Sequence, residues 1–237
     1  VIVWLSSFPR SGNTFFRVVL HRLYQVPTYV VYDVDGVAEQ IGSELTDARD
    51  RPASFDQMRA SSEVYFVKTH RQRTDPEIAK QDQAICLVRD GRDCVVSWAR
   101  MGTARFAGQP DYAERFAAEA RSIITRRSGG TAGWGQNVLS WQQSSAPAPV
   151  WVRFEDLIAE PQRIVQAAVA AVAPEQQSMQ AAPIPSFKDL QEHDPAFFRA
   201  GKTGTHRTEL PTALHDLFWQ QPENAIAMHR LGYRRSP

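Results

Sequence analysis

Val1-Ile2-Val3-Trp4-Leu5-Ser6-Ser7-Phe8-Pro9-Arg10-Ser11-Gly12-Asn13-Thr14-Phe15 opens the chain and decides its fold class. The first five residues are a continuous apolar run with β-branched members, the pattern of a strand buried on both faces. A polar turn with one glycine follows, and from Thr14 to Tyr24 apolar residues recur at helical spacing. Strand, glycine turn and helix make the opening unit of an α/β fold. Backbone N–H groups at such a helix start bind anions, and the helix dipole reinforces them. Gly12 lets the backbone approach an anion closely, while Ser11, Asn13 and Thr14 add short donors. Arg10 places a cation at the mouth. The turn lacks the second glycine and the Lys-Ser/Thr pair of a Walker A loop. An ordinary capped turn is the alternative, because Ser and Asn favour helix starts anyway.

Outward from this unit, buried strands are predicted at 64–67, 84–88 and 150–154. Helices are predicted at roughly 93–101, 112–126, 137–143 and 161–172, the last opened by Pro161. Shorter ones follow near 187–192, 211–219 and 224–231. The alternation predicts a three-layer α/β fold, its mostly parallel central sheet covered by helices on both faces, as a single domain over residues 1–237. The segment 32–60 has no clear period, and long irregular segments are often lids or substrate loops.

Composition narrows the partners. The 237 residues are 43% hydrophobic and 22% charged, an ordinary globular balance. Lys plus Arg is 27 against 26 Asp plus Glu, and this near-neutrality argues against nucleic acid as partner. Cys86 and Cys94 sit in apolar runs and read as reduced packing residues. No apolar run approaches the ~20 residues of a membrane span, and no signal-peptide pattern is visible, so a cytoplasmic location is expected. His193, His206 and His215 lack zinc spacing, and Asp33-Val34-Asp35-Gly36 lacks the downstream acids of a calcium loop; no metal is expected.

Two further stretches carry chemistry. Arg89 ends the strand at 84–88, where open α/β sheets bind ligands, and Ser97 follows one turn into the next helix past Asp93. Lys68 and His70 close the strand at 64–67 two positions apart, hence on one face. A lone arginine or histidine there is usually structural; Lys and His together at a sheet's mouth fit an electrostatic stabiliser and a base.

In combination these pieces resemble the sulfotransferases that use 3′-phosphoadenosine 5′-phosphosulfate (PAPS). Phe8-Pro9-Arg10-Ser11-Gly12-Asn13-Thr14-Phe15 is similar to the family's 5′-phosphosulfate loop, with Arg10 where lysine is usual. Arg89 to Ser97 resembles its 3′-phosphate motif, and Lys68-Thr69-His70 matches the Lys-Thr-His of cytosolic members. Phe154-Glu155-Asp156-Leu157, Ser186-Phe187 and Arg199-Ala200-Gly201-Lys202-Thr203-Gly204 are similar to three later motifs in the same order. The last has Ala200 in place of a lysine, with Lys202 near enough to substitute. Asn13 and the stretch Gly133 to Trp141 look more like bacterial natural-product (glycopeptide-type) members.

The resemblance implies a P-loop-like fold, PAPS as co-substrate, and in-line transfer of a sulfonate to a hydroxyl of a small-molecule or natural-product acceptor. It implies His70 as general base, with Lys68 and Arg10 beside the reacting centre. Residues 11 to 15 hold the 5′-phosphate, Arg89, Ser97 and Arg199 the 3′-phosphate, and Phe187 the adenine, with Gly201 in the closing segment. A P-loop-type small-molecule kinase and a non-catalytic nucleotide-binding relative are the alternatives, and a homodimer is left open. For the acceptor, the loops 32–60 and 101–141 are the candidates, with Phe106, Tyr112 and Trp134 as apolar walls. Arg105, Arg115, Arg121, Arg126 and Arg127 tilt the expectation toward a polar or acidic acceptor.

Overall fold

Residues 2 to 7 are buried without interruption, so the strand they form has to lie inside a sheet. The computed structural model describes residues 1–127, 131–143, 147–179, 183–195, 197–198 and 201–235. Along it run β1 (Ile2–Ser7), α1 (Asn13–Tyr24), β2 (Thr28–Val30), α2 (Gly36–Ile41), α3 (Phe55–Ala60), β3 (Tyr65–Thr69), β4 (Gln83–Val88) and α4 (Gly91–Thr103). Then come α5 (Tyr112–Ile124), α6 (Trp134–Gln142), β5 (Val150–Arg153), α7 (Phe154–Ala159), α8 (Pro161–Val172) and α9 (Phe187–His193). The last three helices are α10 (His206–Glu209), α11 (Thr212–Gln220) and α12 (Pro222–Arg230).

The five strands form one parallel sheet in the order β2-β3-β1-β4-β5. Alternating side chains of β1 bury on opposite faces. Val3 and Leu5 pack with Phe16, Leu20, Val165 and Val169 of α1 and α8. Ile2 and Trp4 pack on the other side with Met58, Tyr65 and Trp141. The Trp4 indole N–H donates to Asp82 Oδ2 at 2.9 Å, so this core tryptophan leaves no polar atom bare. A third cluster joins α4, α5 and α6 to α11 and α12 around Val95, Phe116, Trp134 and Phe218.

The chain leaves β1 toward β2 and β3 on one side and later crosses to β4 on the other. Such a reversal opens a crevice at the carboxyl ends of the strands. Register sets its floor: Ser6 pairs with Thr69 and Ser7 with Leu87, so β1, β3 and β4 end nearly level.

The predicted fold class and the principal strands and helices are present, with shifted ends. The differences are local. The edge strand β2, three residues long, and the short helices α2, α3, α7 and α10 were not predicted, because a helix of one or two turns shows no period. A signal for α3 exists nonetheless, since Ser54 and Gln57 form a capping box at its start. Phe154, predicted at a strand's end, instead opens α7 directly after Arg153.

One close approach ties the C-terminal helices to the rest. A Cβ added at Gly135 would lie 2.3 Å from the Glu223 carbonyl carbon and 2.4 Å from the Asn224 nitrogen. Backbone cannot swing aside as a side chain can. Gly135→Ala should therefore destabilise the protein by about 1–3 kcal/mol, the usual scale of overpacking, read as a lower urea midpoint; an unchanged midpoint would show that α6 and α12 are not locked at this contact.

Candidate active site

The turn after β1 is built on left-handed backbone. Arg10 has φ 69° and Gly12 φ 96°, the second followed at once by α1. Gly12 is required twice over, because a Cβ there would also stand 2.7 Å from Cδ2 of Phe154. The Asn13 amide donates to the Leu5 carbonyl at 2.8 Å and to Ser7 Oγ at 3.2 Å, strapping the turn to β1.

A cavity of about 300 Å³ opens above this turn. Of the expected site residues, Arg10, Gly12, Asn13, Thr14, Phe15, Lys68, His70, Arg89, Ser97, Phe187 and Gly201 line it. Ser11 does not: its hydroxyl lies 3.4 Å from Cys94 Sγ, on the core side of the turn. Arg199 lies outside the described residues.

His70 is fixed at three points. Its N–H donates to the Tyr32 hydroxyl at 2.8 Å, and its carbonyl accepts from the Asn137 amide at 3.0 Å. Its Nδ1 lies 2.8 Å from the Ser7 carbonyl oxygen. A carbonyl only accepts, so Nδ1 carries the proton and Nε2 is left with the lone pair. Among the described residues Nε2 has no hydrogen-bond partner. Burial, joined by the charge of Lys68, pushes the His70 pKa down to about 3 despite the opposing bond to Ser7. The ring is neutral at physiological pH.

Past the ends of β1 and β4, cations meet the closing segment. Arg10 donates from Nε to Ser97 Oγ at 3.0 Å and from Nη2 to the Phe197 carbonyl at 2.7 Å. Arg89 donates to the carbonyls of Arg10 at 3.2 Å and Lys202 at 2.8 Å, its guanidinium carbon 4.4 Å from the Phe154 ring centre. Ser97, expected beside Arg89, thus serves Arg10 here. Phe187 lies 4.5 Å from Phe15, centre to centre, and Gly201 packs on its ring.

The sulfotransferase domain model matches residues 2–170, about seven-tenths of the chain. The chain belongs to the sulfotransferase domain family. Among solved structures it is similar to a mouse sulfotransferase complexed with PAP, at 14% identity and a TM-score of 0.63, over 98% of this chain and 89% of that one. It is also similar to retinol dehydratase in a complex with retinol and PAP, at 14% identity and a TM-score of 0.58, over 100% and 83% of the two chains. At such identities the likeness is one of fold. No curated protein matches the sequence.

The sequence reading missed several residues that shape this sulfotransferase's site. Asp35 joins Lys68 to Arg17, and Tyr32 holds the His70 backbone; both sit in the segment without periodicity. Asp93, read only as part of a helix start, accepts from the N–H groups of Gly204 at 2.7 Å and His206 at 2.9 Å, the Thr205 hydroxyl at 3.1 Å and His206 Nδ1 at 2.9 Å. It moors the closing segment next to Arg89.

The acceptor walls predicted from sequence need correcting. Trp134 is 2% exposed and packs against Gly91 and Phe218, and neither Phe106 nor Tyr112 lines the cavity. None of the five loop arginines lines the cavity, and three are engaged elsewhere: Arg115 with Asp111, Arg127 with Glu223, Arg126 over Trp98. Met101 is the member of that segment that reaches the cavity. Cys86 and Cys94 are buried free thiols; burial pushes Cys94 up to about 12.

Burial alone would raise the Asp93 pKa, but the His206 and Gly204 hydrogen bonds and the Arg89 charge outweigh it and hold the carboxyl at about 2. A depressed folded pKa contributes stability that is present above the unfolded value and lost as pH falls from about 4 toward 2. Asp93→Asn should remove roughly 2 kcal/mol of stability at pH 7 and flatten the acid limb of the denaturation curve. An unchanged limb would show that Asp93 does not moor the segment.

Proposed function

We propose that the chain transfers a sulfonate group from PAPS to a hydroxyl of a small-molecule or natural-product acceptor. The observation that carries this reading is the His70 Nδ1 bond to Ser7. It leaves a lone pair on Nε2 in the same cavity as Lys68, Arg10 and the anion-binding turn. In the proposed step the acceptor oxygen forms a bond to sulfur as the bond from sulfur to the 5′-phosphate oxygen breaks. The acceptor proton passes to His70 Nε2, and 3′-phosphoadenosine 5′-phosphate leaves. Charge building on the departing phosphate and the sulfonate is met by Lys68, Arg10 and the N–H groups of the turn, so positioning and electrostatics supply the acceleration. These groups do the work a metal would do, and transfer is expected to proceed with a chelator present.

Arg89 and Ser97, with Arg199, are the groups proposed for the 3′-phosphate, and Phe187 for the adenine. The carbonyls of Arg10 and Lys202 that Arg89 now serves would yield to a phosphate, a stronger acceptor. Retinol dehydratase has been solved with retinol and with androsterone, each alongside PAP. Val37, Met101 and Phe198 give this cavity apolar wall as well. A small acceptor with an apolar face therefore fits better than the acidic one the loop arginines suggested. The glycopeptide-type likeness at Asn13 and residues 133–141 supports a natural product. The reading takes residues 1–237 as one cytoplasmic enzyme domain, and no helix of the described residues is long and apolar enough to cross a membrane.

Incubation with labelled PAPS and a panel of phenols, alcohols and extracts, without magnesium, tests the assignment; failure to bind PAPS or its desulfonated product at high concentration overturns it. His70→Ala should slow turnover roughly 10²–10⁴-fold, the scale of a positioned base, with nucleotide affinity almost intact. Because His70 stays neutral down to about pH 3, kcat/KM, which reports the free enzyme, should be level between pH 7 and 5. An inflexion near 6.5 would contradict the buried, neutral base. Arg89→Ala should weaken PAPS binding by roughly 2–5 kcal/mol and adenosine 5′-phosphosulfate, which lacks the 3′-phosphate, far less. Equal losses for the two donors would take Arg89 away from the 3′-phosphate.

A further inference from the structure

Lys68 does not stand alone in the cavity wall. Its Nζ lies 3.2 Å from Asp35 Oδ1, and Asp35 Oδ2 lies 2.7 Å from Arg17 Nη2. Arg17 is completely buried in α1; its Nε donates to Thr28 Oγ1 at 2.9 Å, and Thr28 Oγ1 donates to the Thr46 carbonyl at 2.8 Å. Asp35 also caps α2, accepting from Val37 N–H at 3.2 Å. One carboxylate thus joins α1, β3 and the start of α2, and sits between two buried cations.

We propose that Asp35 is a positioning residue for the reaction: its carboxylate, fixed by Arg17, holds the Lys68 ammonium in the cavity wall. The proposal rests on the functional reading above, which puts Lys68 beside the reacting sulfonate. A buried lysine tends to shed its proton, and Lys68 is already displaced downward by burial and further by Arg17, with Asp35 opposing both. Asp35 is itself held low, the two cations and their hydrogen bonds outweighing its burial. The charged groups facing Lys68 are Asp35 from the α2 start and Arg17 from α1; His70, two positions along from Lys68, is neutral. Without the carboxylate, Arg17 and Lys68 confront each other in a dry site. Arg17 hardly deprotonates, so Lys68 gives up the proton and with it the charge that faces the sulfonate. The same segment carries Tyr32, which holds His70.

The test is a direct titration. The chain has four lysines, so the Lys68 side chain can be assigned by NMR against a Lys68→Gln control. The Lys68 pKa should drop by about one unit or more in Asp35→Asn. In the same variant kcat should fall about tenfold or more at neutral pH, KM for PAPS should change little, and the alkaline limb of kcat should move to lower pH. Asp35→Glu should restore the limb. An unchanged Lys68 pKa in a folded Asp35→Asn protein overturns the proposal. If Asp35→Asn does not fold, Arg17→Met/Asp35→Asn, which removes both members of an opposed pair, should also lower the Lys68 pKa, and equality with wild type overturns the proposal again. The NMR arm does not depend on turnover: absence of sulfonate transfer by the wild type sinks the functional reading, while the titration still decides the role of Asp35.

Discussion

A hydrogen bond from His70 Nδ1 to the Ser7 carbonyl joins the end of β3 to the end of β1, and the site is organised around it. It is available only because β1 and β3 pair in parallel with Ser6 opposite Thr69, so that Ser7, the last residue of β1, meets His70, the first past β3. The bond sets the ring's orientation and its tautomer together. The Asn13 amide reaches Ser7 Oγ from the other side, so the turn that opens α1 is fastened to the same residue. His70 and the turn that opens α1 are thereby held to a common rigid edge, which a loop alone would not provide.

The second constraint is charge in a low-dielectric place. Lys68, Arg17 and Arg89 are all buried, and each has an answer close by. Asp35 serves the first two, and Arg89 is met by the carbonyls of Arg10 and Lys202 with Asp93 at 3.9 Å. Breaking one member of a buried ionic group costs far more than the group contributes as a whole, because the partner is left unpaired. The two acids also do mechanical work. Asp35 brings the otherwise irregular stretch after β2 against the edge that carries Lys68 and His70, and Asp93 brings the closing segment over Arg89. Both walls of the cavity are hung on carboxylates.

What can be read along the chain is what local physics sets. The apolar run at the start has to be buried on both faces, and a glycine turn between such a strand and a helix points backbone N–H groups outward at the helix start. Arg89, Lys68 and His70 are legible because each closes a buried strand, and strand ends in a parallel sheet collect at one edge. Short elements escape: β2, α2 and α10 are too brief to display a period.

The sequence by itself thus determined the α/β class, the strand–glycine turn–helix unit and the strand-end residues, since period and burial are properties of neighbouring positions. Only the tertiary structure decided the partners. Asp35 lies 33 residues before Lys68, and Gly204 lies 111 after Asp93; nothing local pairs them. Ser11 turned toward Cys94 and Trp134 sank against Gly91 for the same reason. A side chain's direction and its partner are set by what the packed layers bring opposite it, and that is known only once the sheet has closed its order.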